Sequence, residues 1–221
     1  MPTDTARDKN TKTAILDAAE RLFARHGVQG VSVRKVLAEA GANVALAHYY
    51  FGDRDGLIRE VLRRRVEPVN QERLLLLDQV EAAAGPEGPP LDSVLRAFFG
   101  PIVGLLDEHP DFARLIGQLH VAADPKMKQF FLTLFAEVIR RFAETARRAL
   151  PDQLGGARRA CRTLFTFGAM IHTLTNYGDM ELMARGRFQL PRGEVLLDEL
   201  VAFCTAGLTA PTAVADSGGD R

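Results

Sequence analysis

An all-α fold is predicted by two features of this 221-residue sequence. Apolar residues recur at steps of three and four along most of the chain, and the period-two alternation with turn pairs that marks half-buried strands is absent. Helix punctuation falls between the periodic stretches. Gly27, Gly41 and the run Gly85-Pro-Glu-Gly-Pro-Pro90 interrupt them, while Ser32, Asn43 and Asp53 stand where a helix N-cap is needed. With 47% apolar residues the chain can bury a sizeable core in one or two domains.

Residues 1–8 are polar and charged and read as a flexible arm. A first helix over about 10–26 buries Ile15, Ala18, Ala19, Leu22 and Phe23 and stops at Gly27. From Ser32 to Phe51 the spacing predicts two short helices. Val33, Val36, Leu37 and Ala40 give the first an apolar face, Gly41 ends it, and Asn43 caps the second. Asp53 caps a fourth helix running through Leu57, Ile58, Val61 and Leu62 to Arg63-Arg64-Arg65, which reads as a solvated basic end favoured by the helix dipole. Pro68 lacks an N–H and disfavours the α conformation of Glu67, so a kink or restart is expected there. A further helix carries Val69, Leu74 to Leu77, Val80 and Ala84. After the Gly/Pro break, helices are expected over 91–107 (kinked at Gly100-Pro101), 110–123, 125–150, 154–177 and 192–208. Residues 209–221 read as a flexible tail.

Helix, short turn with glycine, helix is the layout of a helix-turn-helix, whose second helix enters the DNA major groove. The same pattern also describes an ordinary αα-corner. Its flanks add Ile15-Leu16-x-Ala18-Ala19-x-x-Leu22-Phe23-x-x-x-Gly27, Ala40-Gly41-x-Asn43 and Tyr49-Tyr50-Phe51-Gly52-Asp53-Arg54-Asp55-Gly56-Leu57. In that fixed order these motifs resemble the DNA-binding domain of TetR-family transcriptional repressors over residues 9–69. The resemblance implies a TetR-like chain: an N-terminal three-helix DNA-binding domain with its motif at 32–51, and a larger C-terminal bundle over 70–208 for ligand binding and dimerisation.

In the resembling family the residues after the turn glycine face base edges, here Asn43, Val44, Ala45 and Leu46. Asn43 is also explained by capping alone. Leu46-Ala47 departs from the family, which places the larger apolar residue second; either the helix is rotated or Leu46 is partly buried. His48, Tyr49 and Tyr50 suit phosphate contact, with Tyr49 expected outside and Tyr50 at the core boundary. Ser32, Arg34 and Lys35 open one helix, and Arg54 stands where the family commonly has a phosphate-contacting lysine. Residues 1–65 hold 12 Lys+Arg against 8 Asp+Glu and the remainder 16 against 20, a charge split of +4 and −4 that fits polyanion binding at the front.

Helical bundles house ligands between helices, lined by apolar groups with a few polar anchors. Phe98, Phe112, Phe131, Phe135, Phe167 and Met170 are candidate pocket walls. Arg114, Gln118, His120, His172 and Asn176 are candidate anchors, although a histidine in such a stretch is more often a hydrogen-bonded core residue. The Ala42-Asn43-Val44-Ala45 run and residues 63–73 look like the branch that senses fatty acids or acyl-CoA. Phe165, Ala169, Leu196, Leu200, Phe203 and Cys204 are candidate dimer contacts; alternatively the last helix closes only its own subunit's core. Cys161 and Cys204 read as buried small side chains of a reducing compartment, with a redox-sensing pair as the alternative.

The sequence carries no metal triad, nucleophile elbow, phosphate loop or paired carboxylates, so no enzyme, metal or cofactor is expected. It has no run of the ~18–20 apolar residues that span a bilayer and no signal peptide, which predicts a soluble cytoplasmic protein. The expected function is a homodimeric repressor on a palindromic operator, released by a lipophilic molecule. A helical lipid carrier or enzyme without DNA binding is the alternative.

Overall fold

The computed structural model describes residues 4–121, 125–150 and 155–211, apart from the side chains of 4–8, 113–114, 117–118 and 120–121. Among the described residues the secondary structure is helical: α1 Asp4–His26, α2 Val33–Ala40, α3 Val44–Phe51, α4 Arg54–Ala82, α5 Leu91–Glu108, α6 Pro110–Val121, α7 Pro125–Ala149, α8 Gly156–Ala184 and α9 Gly193–Thr209. Two expectations about length change. Helix α1 begins at Asp4 rather than near residue 10, because residues 4–14 hold no proline or glycine to stop it. Helix α8 runs seven residues past Tyr177, to Ala184, where Arg185 closes it with a left-handed backbone.

The larger correction concerns α4, a continuous helix of 29 residues with Pro68 inside it. Glu67 and Pro68 are both exposed, so the Arg64 carbonyl that loses its donor lies on the solvent side of the helix. Val66 and Val69 on the other side are buried in two different cores, and the helix runs on through the proline instead of restarting after it. Pro101 likewise lies within an unbroken α5.

The first core joins α1 to α2, α3 and the front of α4. Ile15, Ala19, Leu22 and Phe23 meet Val36, Leu37, Ala47, Phe51, Ile58 and Leu62, all buried. Phe112, Leu115 and Leu119 of α6 belong to this core as well, so the C-terminal bundle contributes a wall to the N-terminal domain. The second core packs Leu77 of α4 and Leu95, Phe98 and Phe99 of α5 against Val138 and Phe142 of α7 and the inner face of α9.

Arg64 and Arg65 are not a free helix end. They lie mid-helix beside α1, whose Glu20 carboxylate is 6% exposed. Glu20 accepts from Arg64 Nη2 at 2.6 Å, from Arg65 Nε at 3.0 Å and from Arg65 Nη2 at 3.2 Å. Arg64 Nη1 also donates to Asp17 at 2.7 Å, and Arg65 Nη1 donates to His109 Nε2 at 3.0 Å, at the corner between α5 and α6. Burial makes such a pair costly to break, because the orphaned charges stay desolvated. Glu20→Ala should therefore lower unfolding free energy by about 3 kcal/mol in urea titrations. Glu39→Ala, which removes only an exposed 3.5 Å contact to Arg21, should change it by less than about 0.5 kcal/mol.

Candidate nucleic-acid interface

Local rules build the α2–α3 unit. Ser32 Oγ accepts from the Lys35 backbone N–H at 3.2 Å and starts α2. Gly41, at φ 61°, ends it, and the Ala42 N–H turns back to the Leu37 carbonyl at 3.0 Å. Asn43 Oδ1 then accepts from the Ala45 N–H at 2.8 Å and starts α3. The capping reading of Asn43 thus accounts for its carbonyl oxygen, while its side chain stays exposed.

Helix α3 is seated by Ala47 and Phe51, both buried. Leu46 is half-buried, which resolves the Leu46-Ala47 departure in favour of partial burial: the small Ala47 occupies the position closest to the core. The opposite face carries Val44 (65% exposed), Ala45, His48 and Tyr49 (79% exposed), at positions i, i+1, i+4 and i+5. Tyr50 sits at the core boundary, its ring edge-on to Tyr49 at 5.3 Å and to Phe51 at 5.9 Å. Arg34 and Lys35 are exposed on the first turn of α2, without an ion-pair partner among the described residues.

Arg54 is placed differently from the expectation of a free phosphate ligand. Its Nη2 donates to the Val28 carbonyl and its Nε to the Val31 carbonyl at 3.4 Å, so it fastens the α1–α2 loop to the start of α4. Asp53 caps α4 through the Gly56 N–H at 2.6 Å. Gly56 has a steric reason in that turn, since a Cβ there would lie 1.8 Å from the Phe51 carbonyl oxygen.

The predicted apolar pocket residues divide between the two cores. Phe112 belongs to the first core, whereas Phe98, Phe167 and Met170 belong to the second. Phe131 and Phe135 stack at 6.1 Å on α7, half-buried. His172 is exposed on α8, and half-buried Asn176 one turn on places its Nδ2 3.1 Å from His172 Nδ1 and donates to Thr175 Oγ1 at 2.7 Å. The Arg114, Gln118 and His120 side chains lie outside the described residues. A groove of about 580 Å³ between α4, α5 and α9, bordered by Arg65, Pro68, Gly104, His109 and Leu197, is lined by none of the predicted residues.

Two of the dimer candidates also change place. Leu200 and Cys204 face inward, 7% and 3% exposed, because α9 turns that side onto α5. Phe165 and Phe203 are exposed, and Ala169 and Leu196 lie half-buried between the faces. Cys161 is exposed rather than buried, on the outer side of α8. Sequence reasoning missed Arg73, buried in the second core. Its position on the stripe formed by Val66, Val69, Asn70 and Leu77 carried the signal, an arginine at a core-facing step of α4.

Comparison with known proteins agrees with this arrangement. The family described as "Bacterial regulatory proteins, tetR family" matches residues 15–61, and that described as "Tetracyclin repressor-like, C-terminal domain" matches residues 96–207. The HTH-type transcriptional regulator BetI of Agrobacterium fabrum is 33% identical over 75 residues, 34% of this chain and 35% of that protein. The HTH-type transcriptional repressor SCO4008 of Streptomyces coelicolor is 40% identical over 62 residues, 28% of this chain and 32% of that one. The chain thus spans about a third of the length of these curated relatives. Among solved structures, FadR of Bacillus subtilis in complex with stearoyl-CoA superposes with a TM-score of 0.67 at 14% identity, covering 88% of this chain and 98% of FadR. A TetR family transcription regulator from Marinobacter aquaeolei VT8 gives 0.64 at 17% identity, covering 92% and 98%. At such identities the likeness is one of fold.

The Asn43 cap generates a test of its own. Asn43→Ala should cost about 1 kcal/mol of stability, while Asn43→Asp, which keeps the capping oxygen, should stay within about 0.5 kcal/mol of the parent in urea titrations.

Proposed function

Belonging as it does to the TetR family of bacterial regulatory proteins, the chain is one that we propose acts as a homodimeric transcriptional repressor, holding a palindromic operator until a lipophilic small molecule releases it. The observation that carries this reading is the outward face of α3. Val44, Ala45, His48 and Tyr49 project together from a helix seated by Ala47 and Phe51, beside the exposed cations Arg34 and Lys35. Val44 and Ala45 are short apolar groups fit for close approach to thymine methyls. His48, Tyr49, Arg34, Lys35 and the Ser32 end of α2 supply donors for phosphates. Arg54 acts one step back, holding the loop that aims α2.

Exposed apolar side chains on α8 and α9 support the dimer. Leu164, Phe165, Val195 and Phe203 (71% exposed) face outward, and Gly168 and Gly207 have open space where a side chain would be. A soluble subunit rarely leaves such a stripe uncovered. Two-fold pairing of these helices presents two copies of α3 to major grooves about 34–36 Å apart. An effector in the bundle acts by preferring one of two dimer geometries, and its influence equals its differential affinity for them. The route to α3 runs through α6, whose Phe112, Leu115 and Leu119 sit in the core of the reading head, and through the Glu20–Arg65–His109 contacts. The first class of effector to try is a fatty acid or its CoA ester.

The reading is tested by titrating promoter DNA from the neighbourhood of the gene at several salt concentrations. Binding should weaken steeply with salt, and Arg34→Ala should lower the salt slope by about one. Ala45→Asp should abolish operator binding in a folded protein; undiminished affinity would refute the placement of α3 in the groove. For the dimer, Phe165→Glu combined with Phe203→Glu should give a folded monomer in ultracentrifugation with operator affinity down about 10²-fold or more. An intact dimer of that variant would exclude this interface.

A further inference from the structure

Arg73 lies midway along α4 with its side chain in the second core, 1% exposed. Its Nε donates to the Phe98 carbonyl at 2.7 Å, its Nη1 to Asn70 Oδ1 at 3.4 Å and its Nη2 to Met170 Sδ at 3.5 Å, and the guanidinium carbon sits 4.3 Å above the centre of the Phe98 ring. All of these partners are neutral. Arg59, Arg63, Arg64 and Arg65 of the same helix each face a carboxylate, but among the described residues none pairs with Arg73. Burial pushes its pKa down to about 9, which leaves it cationic at neutral pH. An unpaired cation in a hydrocarbon interior is strongly destabilising, and a methionine or leucine would fill the same space without that cost.

The groups around the guanidinium are a thioether and aromatic rings. The weakest partner of the fork is the Met170 thioether, a poor acceptor on a flexible side chain that moves aside readily. Beside it, Phe98, Phe142 and Phe167 form a triangle of rings with centroids 4.3 to 5.6 Å apart. The wall over this region is α8, which packs mainly on α6 and α9, touches α5 lightly, and buries only Thr166, Met170 and Ala184 along its 29 residues.

We propose that Arg73 anchors the carboxylate of a small lipophilic acid, which enters beneath α8 by displacing Met170 and lays its apolar part against Phe98, Phe142 and Phe167. The carboxylate would replace a sulfur contact with a charge-assisted pair to the guanidinium fork. This rests on the ligand-responsive reading above and narrows it: a CoA thioester has no carboxylate at its acyl carbon and cannot use the site. Because Leu164 and Phe165 stand on the outer side of α8, a ligand that shifts this helix also shifts the proposed dimer face.

The test is thermal melting of the full-length protein without DNA, so its outcome is independent of whether the operator reading holds. The probes are hexanoate, octanoate, palmitate, benzoate and phenylacetate, each beside its primary amide, with palmitoyl-CoA as the thioester arm. At least one acid should raise Tm in a saturable way, by about 5–10 °C at a hundredfold excess over its Kd, with no rise from its amide. Arg73→Met should melt at or above the parent and lose the response, whereas Arg73→Lys should keep a weakened one. If Arg73→Met does not fold, Arg73→Gln takes its place in that comparison. The proposal is overturned if no acid in the panel shifts Tm, if amide or thioester matches acid, or if the response survives loss of the cation.

Discussion

The buried carboxylate of Glu20 is the contact on which the relation between the two halves depends. It draws Arg64 and Arg65 together on one side of α4, and each arginine spends its other end elsewhere, on Asp17 and on His109. The direction of α1, the rotation of α4 and the position of the α5–α6 corner are therefore fixed by one connected set of hydrogen bonds in a place where water competes poorly. The apolar packing repeats that connection, since α6 fills a side of the reading head's own core. The N-terminal domain is thus not a bead on a linker. Its core includes side chains of α6.

What the sequence made legible was local. Ser32, Gly41, Asn43 and Asp53 do in the structure what their positions predicted, because caps and left-handed ends depend on atoms three or four residues away. Features decided at long range were read less well. Pro68 looked like a break because its local cost is plain, while the burial of Val66 and Val69 in separate cores is not visible along the chain. Arg63-Arg64-Arg65 looked like a solvated end because Glu20 is 44 residues from Arg64. His172 and Asn176 stood out because their stretch is apolar; on α8 His172 is exposed and Asn176 half-buried, one turn apart and in contact with each other.

Helix α9 shows why its two faces could not be told apart beforehand. Apolar residues lie on more than one of its faces, and their spacing does not say which face packs inward. The structure assigns Leu197, Leu200, Val201, Cys204 and Leu208 to its own subunit and leaves Val195 and Phe203 outside. The two cysteines divide along the same line. Burial pushes the Cys204 thiol up to about 11, despite the hydrogen bond with Thr166, so it is unreactive near neutrality. Cys161 stands open to solvent.

The unbroken course of α4 has a mechanical side. From Arg73 to Arg54 the helix rises about 28 Å at 1.5 Å per residue. Anything that tilts such a rod at its inner end is amplified at its outer one: a rotation of about 5° displaces the far end by roughly 2.5 Å. In the two-fold dimer proposed above, the same tilt in both copies would change the separation of the two α3 helices by about twice that, against the pitch of DNA on which their spacing would have to match. A hinge at Pro68 would absorb the tilt before it reached the head. Because the helix does not break at Pro68, its two ends belong to one continuous element.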